Sequence, residues 1–293
     1  PDIFVPIAKD IKYFDRHPNR PLEWYLSFFA DAGDAKAIGE MSHDYFLDPA
    51  IARQIRRHFP EIKIIFGLRE PVERTISRWL FARATEIGSS VSFGDFARSP
   101  AIIAENDYLA NLKPYFEQFP RAQLFVVFYL DVMTDPAGVV RQLYRFLGAN
   151  EDYVPPSLYK RVLPARKARI APLGRLAYAA AQRLRLFGGA NIVGSVKRSS
   201  LFEQLLYKEL RQRPYIAEKD ALWIRDRFSP DYKALEKLIG RPLPHTWWSR
   251  SAAIESLIVQ SAPKPGMQAP RAQKSRKDCE QSRNSAFYGR PAR

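Results

Sequence analysis

The sequence predicts an α/β protein in which a central parallel sheet is flanked by helices in three layers. Two short, nearly all-apolar runs, residues 62–68 (IKIIFGL) and 124–129 (LFVVFY), read as buried strands. Stretches of helical periodicity separate them, as a parallel sheet requires of its crossovers. The chain has 293 residues, 46% hydrophobic and 13% aromatic, enough for a sizeable core.

A first helix is expected over 22–32, then a strand at 36–40 and a helix over 49–58 that opens on Pro49. Strand 62–68 leads through Arg69 and Glu70 into a helix over 71–87. There Val72, Ile76, Trp79 and Leu80 recur at i, i+4, i+7 and i+8 and form one buried stripe. A helix over 107–119 follows, with Pro114 expected to kink or split it. After strand 124–129 comes a helix over 136–147. Near the end, two helices divided at Ser229–Pro230 are expected to pack back on the sheet.

The net charge is +15, but it is unevenly spread. Residues 160–213 carry thirteen basic and two acidic side chains, and 264–293 carry eight and two, leaving −2 for the rest. The basicity therefore belongs to an insert at 160–213, which holds a basic amphipathic helix at 175–187, and to a tail. That tail, 261–293, is rich in Pro, Lys, Arg, Gln and Ser and is expected to be disordered. The main body spans 1–260. Cys279 is the single cysteine, so no intrachain disulfide can form, and a reducing, cytoplasmic setting is expected. No uninterrupted run of eighteen apolar residues occurs. His17, His43, His58 and His245 lack metal-ligand spacing, and no metal is expected.

The stretch KIIFGLREPVERTISRW, residues 63–79, carries the strongest functional signal. A strand ending in a tight turn and a helix is a place where open α/β sheets bind ligands. Arg69 there can grip a phosphate bidentately, the amides of the helix N-terminus favour the same anion, and Ser77 can add a hydroxyl. Taken alone, the stretch also reads as a solvated turn arginine and a small exposed helix serine.

LREPVERTISRW resembles the segment of sulfotransferases that binds the 3′-phosphate of 3′-phosphoadenosine 5′-phosphosulfate: an apolar strand, Arg, Pro, and Ser eight positions after the Arg. Other stretches agree in order. PDIFVPIAKDIKYFDRH is similar to the region after the sulfonate-binding loop, and GEMSHDYF (39–46) to a Gly-Glu-x-x-Pro-x-Tyr stretch of the acceptor side. TDPAGVVRQLYRFLGANEDYVPPSLYKRV and RFSPDYKALEKLIGRPLPHTW resemble later segments, so the likeness spans 1–248.

The resemblance implies a P-loop-like fold and a sulfotransferase of the carbohydrate-acting, heparan-sulfate type. Its co-substrate is 3′-phosphoadenosine 5′-phosphosulfate, with no metal, and its acceptor a glycan or another hydroxyl or amine. Arg69 and Ser77 are implied to bind the co-substrate. Asp10, where the family carries Glu, is implied as the base, with Lys9 neutralising charge on the sulfonate. Lys12, where the family often has His, is implied with Glu40 and Tyr45 to face the acceptor. Tyr45 reads equally as core, and Trp247–Trp248 as a core plug. The family's phosphosulfate loop and its strand are not found in the chain, so a fragment, inactive by itself, is expected. Rival readings are a nucleic-acid-binding protein and a peripheral module lying on anionic lipid through 160–213; no recognisable nucleic-acid module supports the first.

Overall fold

The structure, a computed structural model, describes residues 2–8, 10–84, 91–159, 166–168, 207–209 and 216–249. Lys9, the expected basic helix at 175–187 and the tail 261–293 lie outside the described residues. Elements are numbered in order among those described.

Strands β1 (Ile3–Phe4) and β2 (Ala37–Ile38) pair in parallel, and so do β3 (Ile64–Leu68) and β4 (Leu124–Phe128). The second pair runs in register from Ile64 opposite Leu124 to Leu68 opposite Phe128. Both pairs are bridged by helical crossovers, which is the α/β arrangement expected. In the basic insert, β5 (Arg166–Ala168) and β6 (Tyr207–Glu209) form an antiparallel pair.

Strand β3 is buried on one side only. Phe66 and Leu68 are buried, whereas Ile65 is 42% exposed. The covered side meets α7 (Tyr108–Gln118), where Phe66 lies 5.3 Å from the Tyr115 ring centre. Alternation in burial follows from the strand's period of two, which a purely apolar sequence run conceals.

Helix α3 (Pro49–His58) starts and stops as its sequence dictates. Asp48 caps it through the Ala50 amide at 2.8 Å, Pro49 fills the first turn, and Arg56, Arg57 and His58 complement the dipole at its end. Helix α4 (Pro71–Ala84) buries Val72, Ile76 and Trp79, three of the four residues of the expected stripe. Between α4 and α7 lie two short helices absent from the sequence reading, α5 (Phe93–Ala97) and α6 (Pro100–Asn106). Pro114 leaves α7 a single helix; it lacks the N–H that would bond to the Ala110 carbonyl, but it does not split the element. The predicted helix over 22–32 is α helical only at α2 (Leu22–Leu26) and continues as a 3₁₀ turn over Ser27–Ala32. A one-turn helix, α1 (Tyr13–Arg16), precedes it.

After β4 the chain passes directly into α8 (Tyr129–Thr134) and then α9 (Pro136–Leu147), capped by Asp135 and ended by Gly148 at φ 79°. The late helices α10 (Glu218–Phe228) and α11 (Tyr232–Ile239) are split by a 3₁₀ turn at Ser229–Asp231, as expected, but they pack on helices rather than directly on the sheet, α10 on α4 and α11 on α7. Trp247 closes the core at 1% exposure, 5.3 Å from the Tyr232 ring centre, 5.7 Å from Tyr108 and 5.9 Å from Phe128. Such fully buried side chains each stabilise the fold by about 1.5–3 kcal/mol.

Candidate active site

Leu68 pairs with Phe128, so the next residues, Arg69 and Tyr129, leave the paired strands side by side. The Arg69 guanidinium consequently stands over the Tyr129 ring, 4.3 Å from its centre. The Arg69 backbone is held from the other side. Tyr108 Oη donates to the Arg69 carbonyl at 2.8 Å and accepts from its amide at 3.4 Å. Burial pushes the Tyr108 phenol up to about 12, so this hydroxyl stays neutral and able to donate.

The first turn of α4 is already supplied with an acceptor. Glu70 is 4% exposed, and its Oε2 accepts from the Glu73 amide at 2.8 Å. Burial pushes its carboxyl up to about 7 against the pull of the Glu73 and Val72 amides. The expectation that these helix-terminal amides would face a bound phosphate is therefore corrected: Glu70 takes them, because it is the cap residue of the helix. The Arg69 Nε lies 3.5 Å from Glu73 Oε2. Ser77 is exposed one turn beyond Glu73, on the same stripe of α4. Arg69, Glu73 and Ser77 thus form one row, the first two half-buried and the third exposed, with a carboxylate between the two groups expected to hold phosphate.

Behind that row, Glu105 is buried and receives Arg78 in two bonds, 3.0 Å from Nε and 2.9 Å from Nη2, and Arg74 Nη2 at 3.2 Å. Asn106 Nδ2 donates to Thr75 Oγ1 at 2.9 Å. These contacts fix α6 to α4. Sequence reasoning missed them; the bare signal was a Glu105–Asn106 pair ahead of the Asp107 cap.

The residues expected on the acceptor side lie on two segments that meet. Asp10 and Lys12 both have positive φ, 56° and 58°, a conformation that costs non-glycine residues about 1–2 kcal/mol. The Asp10 amide donates to the Met41 carbonyl at 3.0 Å, which ties the first segment to the second. Asp10 Oδ1 lies 2.5 Å from His43 Nδ1 and accepts from the His43 amide at 3.4 Å. Burial opposes the Asp10 charge, but His43, Lys12 and the His43 amide together hold its carboxyl below the usual range. Lys12 Nζ sits 2.6 Å from Asp44 Oδ2.

Glu40 accepts from Tyr25 Oη at 3.1 Å and Ser42 Oγ at 3.0 Å, and burial pushes its carboxyl upward. Tyr45 is a core residue. Its ring packs edge-on to Phe14 at 5.5 Å, its hydroxyl accepts from the Phe14 amide at 3.5 Å, and its carbonyl accepts from Tyr115 Oη at 2.9 Å. The structure thus brings Asp10, Lys12 and Glu40 to one locus, with the Tyr45 ring in the core and its hydroxyl bonded to Glu40; Lys9 lies outside the described residues. Phe46 and Arg74 join this locus to the row on α4, the guanidinium standing 5.9 Å from the Phe46 ring centre. Among the described residues, no group of three His, Cys, Asp or Glu is arranged to hold a metal ion, and no helix is long and apolar enough to cross a membrane.

Residues 34–152 match the sequence model of the Sulfotransferase family. They include Arg69, Ser77, Glu40 and Tyr108. Among curated proteins, the chain is 26% identical over 157 residues to heparan sulfate glucosamine 3-O-sulfotransferase 3A1 of Mus musculus, covering 50% of this chain and 40% of that protein. It is 24% identical over 162 residues to bifunctional heparan sulfate N-deacetylase/N-sulfotransferase 3 of Homo sapiens, covering 50% and 19%. The chain therefore matches well under half the length of these relatives. Among solved structures, a sulfotransferase from Alicyclobacillus acidocaldarius shares the fold, with a TM-score of 0.60 and 22% identity over 85% of this chain and 90% of that one.

Proposed function

We propose that the protein transfers a sulfonate group from 3′-phosphoadenosine 5′-phosphosulfate to a hydroxyl or amine of a carbohydrate. The acceptor oxygen or nitrogen attacks sulfur in line. The bond from sulfur to the bridging phosphate oxygen breaks, the acceptor's proton passes to a carboxylate, and 3′,5′-adenosine bisphosphate leaves. Charge spreads over the equatorial and leaving oxygens, so positioning and electrostatics carry most of the acceleration.

One observation carries this reading: within the family segment, Arg69 is presented at the end of β3 with its backbone fixed by Tyr108. In this assignment Arg69 and Ser77 take the 3′-phosphate, which displaces the Glu73 carboxylate. Asp10, ionised at neutral pH, accepts the acceptor's proton, while Lys12 and Glu40 face the sugar. The names of the matched relatives favour a glycan of the heparan sulfate class.

The test is calorimetry with 3′,5′-adenosine bisphosphate, followed by labelled sulfonate transfer to desulfated heparan sulfate. Saturable binding that Arg69→Ala weakens at least tenfold, and Ser77→Ala weakens less, is expected, since a charge-assisted pair is about twice as strong as a neutral one. Binding that neither change affects would remove the phosphate assignment.

A further inference from the structure

We infer that His43 is the positioning residue for Asp10, holding one carboxylate oxygen so that the other is presented to the acceptor. The inference rests on the proposed assignment of Asp10 as the base. Its observation is independent of that assignment, because it lies in where the bonds fall. Among the described residues, both the imidazole Nδ1 at 2.5 Å and the His43 amide at 3.4 Å meet Oδ1 of Asp10. Oδ2 is left as the oxygen that can take a proton. An aspartate pinned by two donors from one residue cannot swing about its χ angles, and this restraint acts where the backbone itself is unusual, at φ 56°.

The surroundings select this arrangement. The Asp10 amide is bonded to the Met41 carbonyl, so the His43 segment carries Asp10 on both its backbone and its side chain. His43 itself is largely exposed, with 65% of its side-chain surface open, against 21% for Asp10. The imidazole thus lies on the solvent side, where it exchanges protons freely, and the carboxylate lies on the inner side. A purely structural aspartate cap would need no imidazole, because the amide alone would serve it.

The charged groups facing His43 are Asp10 and Asp44, which favour its protonated form, and Lys12, which opposes it. Glu40 faces Asp10 in turn. The hydrogen bond to Asp10 raises the imidazole above its ordinary value. A protonated His43 stabilises the Asp10 carboxylate and lowers its proton affinity. A neutral His43 still donates from Nδ1 but no longer depresses the base. Turnover should therefore rise as His43 loses its proton.

The experiment compares wild type with His43→Ala and His43→Asn in the full chain. Asn places an amide N–H near the position of Nδ1 and cannot titrate. Four readouts are taken: bisphosphate binding, kcat and KM for sulfonate transfer, the pH profile of kcat, and the His43 ring titration by NMR in wild type and Asp10→Asn. His43→Ala is expected to lower kcat about 10- to 100-fold with bisphosphate affinity unchanged, as a misplaced base does. His43→Asn should recover most of kcat with the His43 limb gone from the pH profile, and Asp10→Asn should lower the ring's midpoint. Wild-type kcat and an unaltered pH profile in His43→Ala, or an unmoved ring midpoint in Asp10→Asn, would overturn the inference while leaving the sulfotransferase reading intact. Absence of both bisphosphate binding and transfer in wild type would overturn that reading first, and the inference with it.

Discussion

The hydroxyl of Tyr108 is bonded to both main-chain polar groups of Arg69, 2.8 Å from the carbonyl oxygen and 3.4 Å from the amide nitrogen. A turn that follows a strand would ordinarily satisfy these groups with water or with its own backbone. Here a buried phenol from α7 does so, and the arginine backbone is fixed while its guanidinium is left to Tyr129 and Glu73.

Tyr108→Phe should weaken bisphosphate binding more than it weakens the fold. The ring stays packed 5.7 Å from Trp247, so the core is preserved, while the Arg69 carbonyl loses its donor. A stability loss of about 1–2 kcal/mol and a several-fold loss of affinity are expected. Calorimetry and urea unfolding on the same sample would show this; unchanged affinity would mean that Tyr108 packs without positioning Arg69.

Glu73→Gln should tighten bisphosphate binding. Glu73 stands 3.5 Å from the Arg69 Nε and one turn from Ser77, so its charge must be displaced or tolerated when a phosphate arrives. Both side chains of the pair are partly exposed, and the gain should be modest, a few-fold at most. Weaker binding by the glutamine variant would show that the carboxylate orients Arg69.

Glu70 gives the fold a pH dependence. Its carboxyl is raised to about 7, so its stabilising contribution is complete below the ordinary carboxylate range and is lost as pH rises toward 7. Glu70→Gln keeps an acceptor for the Glu73 amide but does not ionise. The stability of the glutamine variant relative to wild type should therefore improve between pH 4.5 and 8, by on the order of 3 kcal/mol. A difference between the two proteins that is flat across that range would contradict the burial of a raised carboxyl here.

Asp10→Asn should reduce kcat about 10²- to 10⁴-fold, the range of a lost general base, with bisphosphate affinity near wild type. Retained turnover would move the base elsewhere, with Glu40 the next residue to test.

The fold class and most helices were legible because their signals are local. Pro49 and Pro136 begin helices at those residues, and both helices end where predicted, at His58 and Leu147. The short helices α5 and α6 were not, since five and seven residues hold too few turns to establish a period. At the site, Arg69 and Ser77 were readable from a resembled motif. Tyr108 as clamp and His43 as partner of Asp10 were not, because their partners follow only from the three-dimensional path; Glu70 as cap was missed although its partner, the Glu73 amide, is local. His43 and Asp10 are thirty-three positions apart, and Tyr108 and Arg69 thirty-nine. Histidines weighed only for metal spacing leave such a pair unseen. Tyr45, readable as either core or acceptor contact, has its ring packed by Phe14 and its carbonyl held by Tyr115, both remote in sequence, while its hydroxyl meets Glu40.

Helix α7 reaches both halves of the site through phenols seven residues apart, Tyr108 at the Arg69 turn and Tyr115 at residue 45, roughly 10 Å from each other along the axis. Each of these hydroxyls grasps main-chain atoms, which every amino acid possesses, rather than side chains. The carbonyl of residue 45 that anchors the 41–44 segment accordingly survives any change of residue there. Side chains along such a segment can vary without loosening its anchor to α7.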